Sequence, residues 1–311
     1  MAITWGIKRY YSLKYFLRHK FGQKVYKVSV DAGFSCPNRD GTVGTEGCIF
    51  CSPHGSGDFA GCRSKSITQQ LLDSTKGIRD LSDKHGITQY IAYFQAFTNT
   101  YANINQLREK YYEAISVPGV VGIAIATRPD CLGKDVMNLL HELSKQTYLW
   151  IELGLQTIHE NTAQFIRRGY PLLCFEESLN NLRKLEIDTV CHLILGLPNE
   201  SNEDILSSVK YISKKDIQGI KLHLLHVLED TYLAKLYQKN EFALLSKEEY
   251  IKLVVDCLEI LPPNLVIHRL TGDGPKNILL GPEWSKNKID VLNSIEKELV
   301  ARDSWQSKYF E

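Results

Sequence analysis

Long apolar runs are missing from this sequence of 311 residues. None approaches the roughly 20 residues that a membrane-spanning helix needs, and the opening MAITWGIKRYYSLKYFLRHKFGQK lacks the apolar segment of a signal peptide. These absences lead us to expect a cytoplasmic protein with no membrane partner. Cysteine is also scarce, at eight residues, well below the density of a secreted disulfide scaffold. In a reducing compartment, clustered cysteines more often bind metals or carry redox chemistry than pair with one another. No solenoid-period repeat and no low-complexity linker divides the chain. Acidic residues are absent from positions 1–30, although the net charge of the whole is only +1. The composition as a whole is therefore not that of a basic nucleic-acid binder.

What stands in the acid-free stretch is Lys8, Arg9, Lys14, Arg18, Lys20, Lys24 and Lys27, interleaved with Trp5, Tyr10, Tyr11, Tyr15, Phe16, Phe21 and Tyr26. Cations for phosphates and flat rings for unpaired bases suit RNA. The same pattern also suits an amphipathic helix whose rings pack on the core while its lysines stay in water. Lys8, Arg9 and Lys14 are carried forward as candidate substrate contacts.

Short β-branched or aromatic runs recur at 24–30, 88–94, 119–126, 147–153, 189–195 and 219–225, with helix-like stretches between them, such as 67–86, 104–116 and 134–146. Near-continuous apolar strands separated by helices predict right-handed βα units around a parallel sheet buried on both faces. Six units are too few for a closed eight-fold barrel, so the expected fold is α/β, a partial (β/α)6 barrel. The domain reading is a basic-aromatic segment over 1–23, the barrel over 24–228 and a C-terminal α/β extension over 229–311. In that extension Ser246 and Glu249 read as a capping box. A strand at 265–270 would extend the sheet and bring His268 and Arg269 towards its mouth. Polar residues collect where strands end, in QAFTNT, TRPD, ELGLQT and GLPNES, and parallel βα architectures build their sites at those ends. Gln156 and Glu152 stand inside otherwise apolar strand ends.

Three of the cysteines, Cys36, Cys48 and Cys51, fall within the stretch FSCPNRDGTVGTEGCIFC. A structural zinc site needs a fourth ligand, for which His54 and Cys62 are available. A [4Fe–4S] cluster fits three thiolates alone, because its fourth iron can stay open to a non-protein ligand. A molecule with amino and carboxylate groups, such as S-adenosylmethionine, could chelate that iron and accept an electron from the cluster. Cys62, Cys131, Cys174, Cys191 and Cys257 are scattered singly and read as small core residues.

The words GFSCPNRDGTVGTEGCIFC, TRPDC, ELGLQT, HLILGLPNE and VIHRLTGD, in this order, resemble the Elp3-like radical SAM proteins of the YtqA/YhcC (MnmL) type. The resemblance runs from about Tyr10 to the end. It implies a [4Fe–4S] cluster on Cys36, Cys48 and Cys51, bound S-adenosylmethionine, and an electron donor such as ferredoxin or flavodoxin. Phe50 would lie against the adenine edge. Gln95, Thr98 and Asn99 occupy the place of the turn that binds the methionine amino group. Gln156 and His192 would contact the ribose, Arg168 would pair with the methionine carboxylate, and Thr127 and Leu197 complete the cofactor site. Relatives often carry a ribose-binding Glu at the end of the third strand, where this chain has Ala126. The implied substrate is tRNA, at the C5 side chain of wobble uridine, taken from carboxymethylaminomethyl- towards aminomethyl-uridine. Arg39, His223, His268 and Arg269 join the candidate substrate contacts, with His226 behind them. The stretch after residue 230 is too short for the Elp3 acetyltransferase domain, so acetyl-CoA chemistry is not expected. The alternatives are a radical SAM enzyme acting on a small metabolite or porphyrin, and a non-catalytic Fe–S RNA-binding protein. No oligomeric state follows from the residues.

Overall fold

A computed structural model describes residues 3–82 and 89–311, side chains of 77–82 excepted. The chain opens with α1 (Leu13–Phe21), β1 (Val25–Val30), α2 (Ile67–Ser82) and β2 (Gln89–Phe94). The expected helix positions 83–86 and the first residue of the expected strand at 88 lie outside the described residues. Then come α3 (Ile104–Ser116), β3 (Val120–Thr127), α4 (Lys134–Ser144), β4 (Tyr148–Gln156), α5 (Glu160–Phe165), α6 (Leu172–Lys184) and β5 (Asp188–Leu195). The remainder is α7 (Asn202–Ser213), β6 (Gly219–Leu224), β7 (Val227–Leu228), α8 (Tyr232–Gln238), α9 (Lys247–Glu259), β8 (Val266–Arg269), β9 (Leu279–Gly281) and α10 (Lys288–Ala301).

Seven strands pair in the order β1-β2-β3-β4-β5-β6-β8, all parallel, so the strand expected at 265–270 does extend the sheet. Period-2 alternation sends two sets of side chains to opposite faces. Val28, Phe94, Ile123, Ile151, Leu193 and Leu222 pack outward against the helices in the main core. The inward set is smaller and mixed, starting with Ile91, Tyr93, Ala124, Trp150 and Val190. Curling is visible in the inward contacts. Lys27 on β1 pairs with Glu152 on β4 at 3.6 Å, and Lys221 on β6 donates to the Tyr93 hydroxyl on β2 at 3.0 Å. In a flat sheet those strands would stand roughly 14 and 19 Å apart. The sheet is therefore a half-barrel with a lumen.

α1 closes the bottom of that lumen. Ser12 caps the helix by accepting from the Tyr15 N–H, and Gly22 ends it in the left-handed region at φ 71°. Its Leu17 is buried. Phe16 and Phe21 meet Tyr148, the first residue of β4, and the Lys20 ammonium sits 4.0 Å from the centre of that ring. Just ahead of α1, the Ile267 N–H of β8 donates to the Tyr11 carbonyl at 2.7 Å. The amphipathic reading of the N-terminal segment thus describes its packing. The capping box at Ser246 is present, with Glu249 answering the backbone of the cap residue. Among the described residues no helix is long and apolar enough to cross a membrane.

Candidate active site

The cysteine loop follows β1 and folds on itself through Asn38, Arg39 and Asp40, of which the sequence offered only Arg39, and that as a substrate contact. Asn38 is buried and its amide donates to the Arg167 carbonyl at 2.6 Å while lying 3.5 Å from the Cys48 Sγ. Arg39 donates to the carbonyls of Cys51 and Ser52 at 2.9 and 2.7 Å, and Asp40 accepts from the Thr42 N–H at 3.0 Å. Gly47, at φ 75°, leaves room for Arg39, whose Nε would stand 2.9 Å from any Cβ there. Arg39 is therefore a brace of the loop as well as a wall of the cavity beside it.

That cavity, about 1120 Å³, runs from the cysteines into the lumen, and Cys36, Cys48 and Cys51 all face it. Among the described residues no group of three or more His, Cys, Asp or Glu is arranged around one metal ion. His54 and Cys62 thus do not close a zinc shell here. Three soft thiols on one cavity wall are the ligand set of an iron–sulfur cluster whose fourth iron is left open. Burial, then the neighbouring Cys51, pushes the Cys48 thiol up to about 12, and burial pushes Cys51 up as well. Bare thiolates are disfavoured in this pocket, and bonding to the cationic iron of a cluster would reverse that.

Around the same cavity stand Phe50, Gln95, Thr98, Thr127, Gln156 and His192. Phe50 packs on the apolar cluster of Ile49, Ile166, Ile194 and Leu197. Leu197 itself is buried and does not face the cavity. Asn99 also lies behind the wall, its amide donating to the Ala126 carbonyl at 2.9 Å. Thr127 shares a 2.5 Å hydrogen bond with Thr100. Gln156 takes a left-handed φ of 68° beside a register shift between β4 and β5. Strained non-glycine residues of this kind concentrate at functional sites.

Arg168 reaches the cavity wall but its guanidinium is committed elsewhere. It is buried and donates to the carbonyls of Tyr170, Leu155 and Thr157 at 2.9, 3.0 and 2.7 Å, with Glu160 beyond at 3.3 Å. Few of its five N–H groups remain for a ligand, so its contacts are those of a strut under the end of β4. The pairing with a methionine carboxylate that the resemblance implies is not what these contacts show.

Below the rim lies a charged layer in which Glu152, His192, His223 and Arg269, singled out from the sequence, meet two lysines that were not, Lys27 and Lys221. Glu152 is fully buried and contacts Lys27 at 3.6 Å, the His192 Nε2 at 2.9 Å, the Trp150 indole N–H at 3.0 Å and the ammonium of Lys221. Burial pushes its carboxyl up, but Lys221 and Lys27 outweigh burial and hold it well below the usual range. Burial, then Lys221, brings His192 down to about 4. His223 and Arg269 face the cavity at this level. His268 does not. It packs edge-on to Trp150 with ring centres 5.6 Å apart and pairs with Gln218 at 3.2 Å. Lys27, counted in the N-terminal basic run, belongs to this layer. The signal for it and for Lys221 was a lysine at an inward position of an apolar strand.

Lys8, Arg9 and Lys14 are not brought to the cavity. Lys8 pairs with Glu296 at 2.8 Å and Arg9 with Asp303 at 3.1 Å. The far wall is instead formed by the loop after β8, including Asp273 and Lys276, and by Lys286 and Lys288 ahead of and within α10.

The family model described as the Radical SAM superfamily matches residues 40–212, and one described as the Radical_SAM C-terminal domain matches 217–301. The chain belongs to the radical SAM superfamily. Within it, the chain is an Elp3-like member. It is 50% identical to YtqA of Bacillus subtilis (strain 168) over 304 residues, 98% of this chain and 94% of that one. It is 35% identical to YhcC of Escherichia coli (strain K12) over 284 residues, 91% and 90% of the two chains. The solved structure of archaeal Methanocaldococcus infernus Elp3 shares the fold with a TM-score of 0.67 at 17% identity, over 91% of this chain and 64% of that one. Radical SAM enzymes use a [4Fe–4S] cluster and S-adenosylmethionine, and this chain is an enzyme of that superfamily.

Proposed function

We propose that this enzyme modifies the C5 side chain of wobble uridine in tRNA, converting carboxymethylaminomethyl- towards aminomethyl-uridine. The observation that carries the reading is the shape of the lumen cavity, with three thiols at its rim and a polar, charged floor. Cys36, Cys48 and Cys51 hold the cluster in this reading. Phe50, Gln95, Thr98, Thr127, Gln156 and His192 line the space where the cofactor would lie. A [4Fe–4S] cluster supplies an electron to S-adenosylmethionine, and with it a radical able to take hydrogen from an unactivated carbon. Asn38 and Arg39 hold the cysteines in place, and the apolar cluster around Phe50 keeps water from that end. The cavity's volume leaves room beyond the cofactor for one flipped-out base with its side chain. An electron donor such as ferredoxin or flavodoxin completes the system. Resemblance to the YtqA/YhcC (MnmL) type supports the choice of tRNA.

Nucleoside mass spectrometry of tRNA from a strain lacking the gene tests the reading. Carboxymethylaminomethyl-uridine should accumulate at the wobble position while aminomethyl-uridine falls. An unchanged wobble profile refutes it.

A further inference from the structure

The floor of the lumen and the far wall beside it carry more positive charge than their own carboxylates answer. Lys27 and Lys221 share Glu152, while Arg269 and Lys288 share Asp273. Arg269 is 3.6 Å from Asp273, and among the described residues its guanidinium makes no hydrogen bond. Its side chain lines the cavity, and among the described residues no acceptor comes closer to its five N–H donors than that carboxylate. Beside them the Nε2 of His223 is buried and has no hydrogen-bond partner. Burial first, then Arg269, pushes His223 well below its usual value, and Arg269 acts in the same direction on Lys221. An added anion would relieve that repulsion. A guanidinium offers a planar fork that matches a carboxylate with two parallel hydrogen bonds.

We infer that the floor is a receptor for a carboxylate of the substrate, bound by the Arg269 guanidinium and the His223 Nε2 with Lys27 behind them. The wobble-uridine reading only identifies the molecule that brings it, since a carboxymethylaminomethyl side chain ends in a carboxylate. The cysteines lie at the rim and this receptor below it, so a base entering between them would hold its side chain inward.

The test is calorimetric binding to the reconstituted protein saturated with S-adenosylmethionine, whose own carboxylate is then accounted for. The probes are 5-carboxymethylaminomethyl-uridine, its methyl ester, iminodiacetate and inorganic phosphate. The acid should bind at least about tenfold tighter than the ester. Arg269→Gln should abolish that preference while leaving ester binding unchanged, which also reports a folded variant, and Arg269→Lys should keep part of it. Equal binding of acid and ester by the wild type overturns the receptor and leaves the wobble-uridine reading standing. So does a parallel loss of both in Arg269→Gln, or displacement of the acid by phosphate better than by iminodiacetate. If neither nucleoside binds but iminodiacetate does so in an Arg269-dependent way, the receptor stands and the wobble-uridine reading falls.

Discussion

Gly154 sits where the lumen meets the rim, and a Cβ there would stand 2.8 Å from the Gln156 Nε2 and 3.4 Å from the Tyr170 hydroxyl. The clash falls on the end of a flexible side chain, so the fold can yield while Gln156 moves. Gly154→Ala should weaken S-adenosylmethionine binding about tenfold, roughly 1.4 kcal/mol, with little change in melting temperature. Titration calorimetry on the reconstituted protein decides it, and unchanged affinity removes Gln156 from the cofactor site. The buried histidines make a second prediction at this scale. His192 and His226 are each brought down to about 4, by burial first. Between pH 6.5 and 4 the unfolded chain binds protons that these native histidines do not, so stability falls as pH falls through that window. His192 alone accounts for on the order of 3 kcal/mol. Glu152, held low by the lysines, adds stability that is present above its unfolded value and lost as pH falls through its lower native one. Urea midpoints should therefore drop steadily below pH 6.5, and a flat profile down to pH 4 contradicts the buried neutral state. Residue type alone could not separate Lys27 from the surface lysines. Its neighbours in space, Glu152 and Tyr93, belong to strands three and one places away.

At the scale of elements, α1 is a plug whose value lies in its apolar face. Leu17→Ala should lower stability by about 2–5 kcal/mol, as for other buried leucines. Lys14→Ala on the same helix should stay within about 0.5 kcal/mol. Chemical denaturation measures both, and equal effects would mean the helix does not close the lumen. The first six strands, β1 to β6, were legible in the sequence because apolar runs between helical stretches leave few alternatives. The ribbon of β7 and β9 was not legible. Two- and three-residue strands carry too little pattern, and they pair only because the loop after β8 returns across the cavity.

At the scale of the whole molecule, the basic N-terminus and the cysteines lie at opposite ends of the half-barrel. If tRNA enters at the cysteine end, the triple variant Lys8→Gln, Arg9→Gln, Lys14→Gln should leave its affinity unchanged. Lys276→Gln with Lys286→Gln should weaken it and reduce the salt slope by about one for each phosphate no longer neutralised. Filter binding across a salt series reads both, and the opposite ranking would move the RNA to the N-terminal face.

By itself the sequence determined the α/β class, the first six βα units of a partial barrel and the three thiols of one loop. These rest on local periodicity and on the spacing of one loop. Only the tertiary structure decided that Arg168 is a strut, that His268 faces Trp150 and that Lys27, Lys221, Glu152 and Arg269 share one layer. Curling a parallel sheet brings together side chains that are distant along the chain, and whether a cation is already satisfied depends on those neighbours.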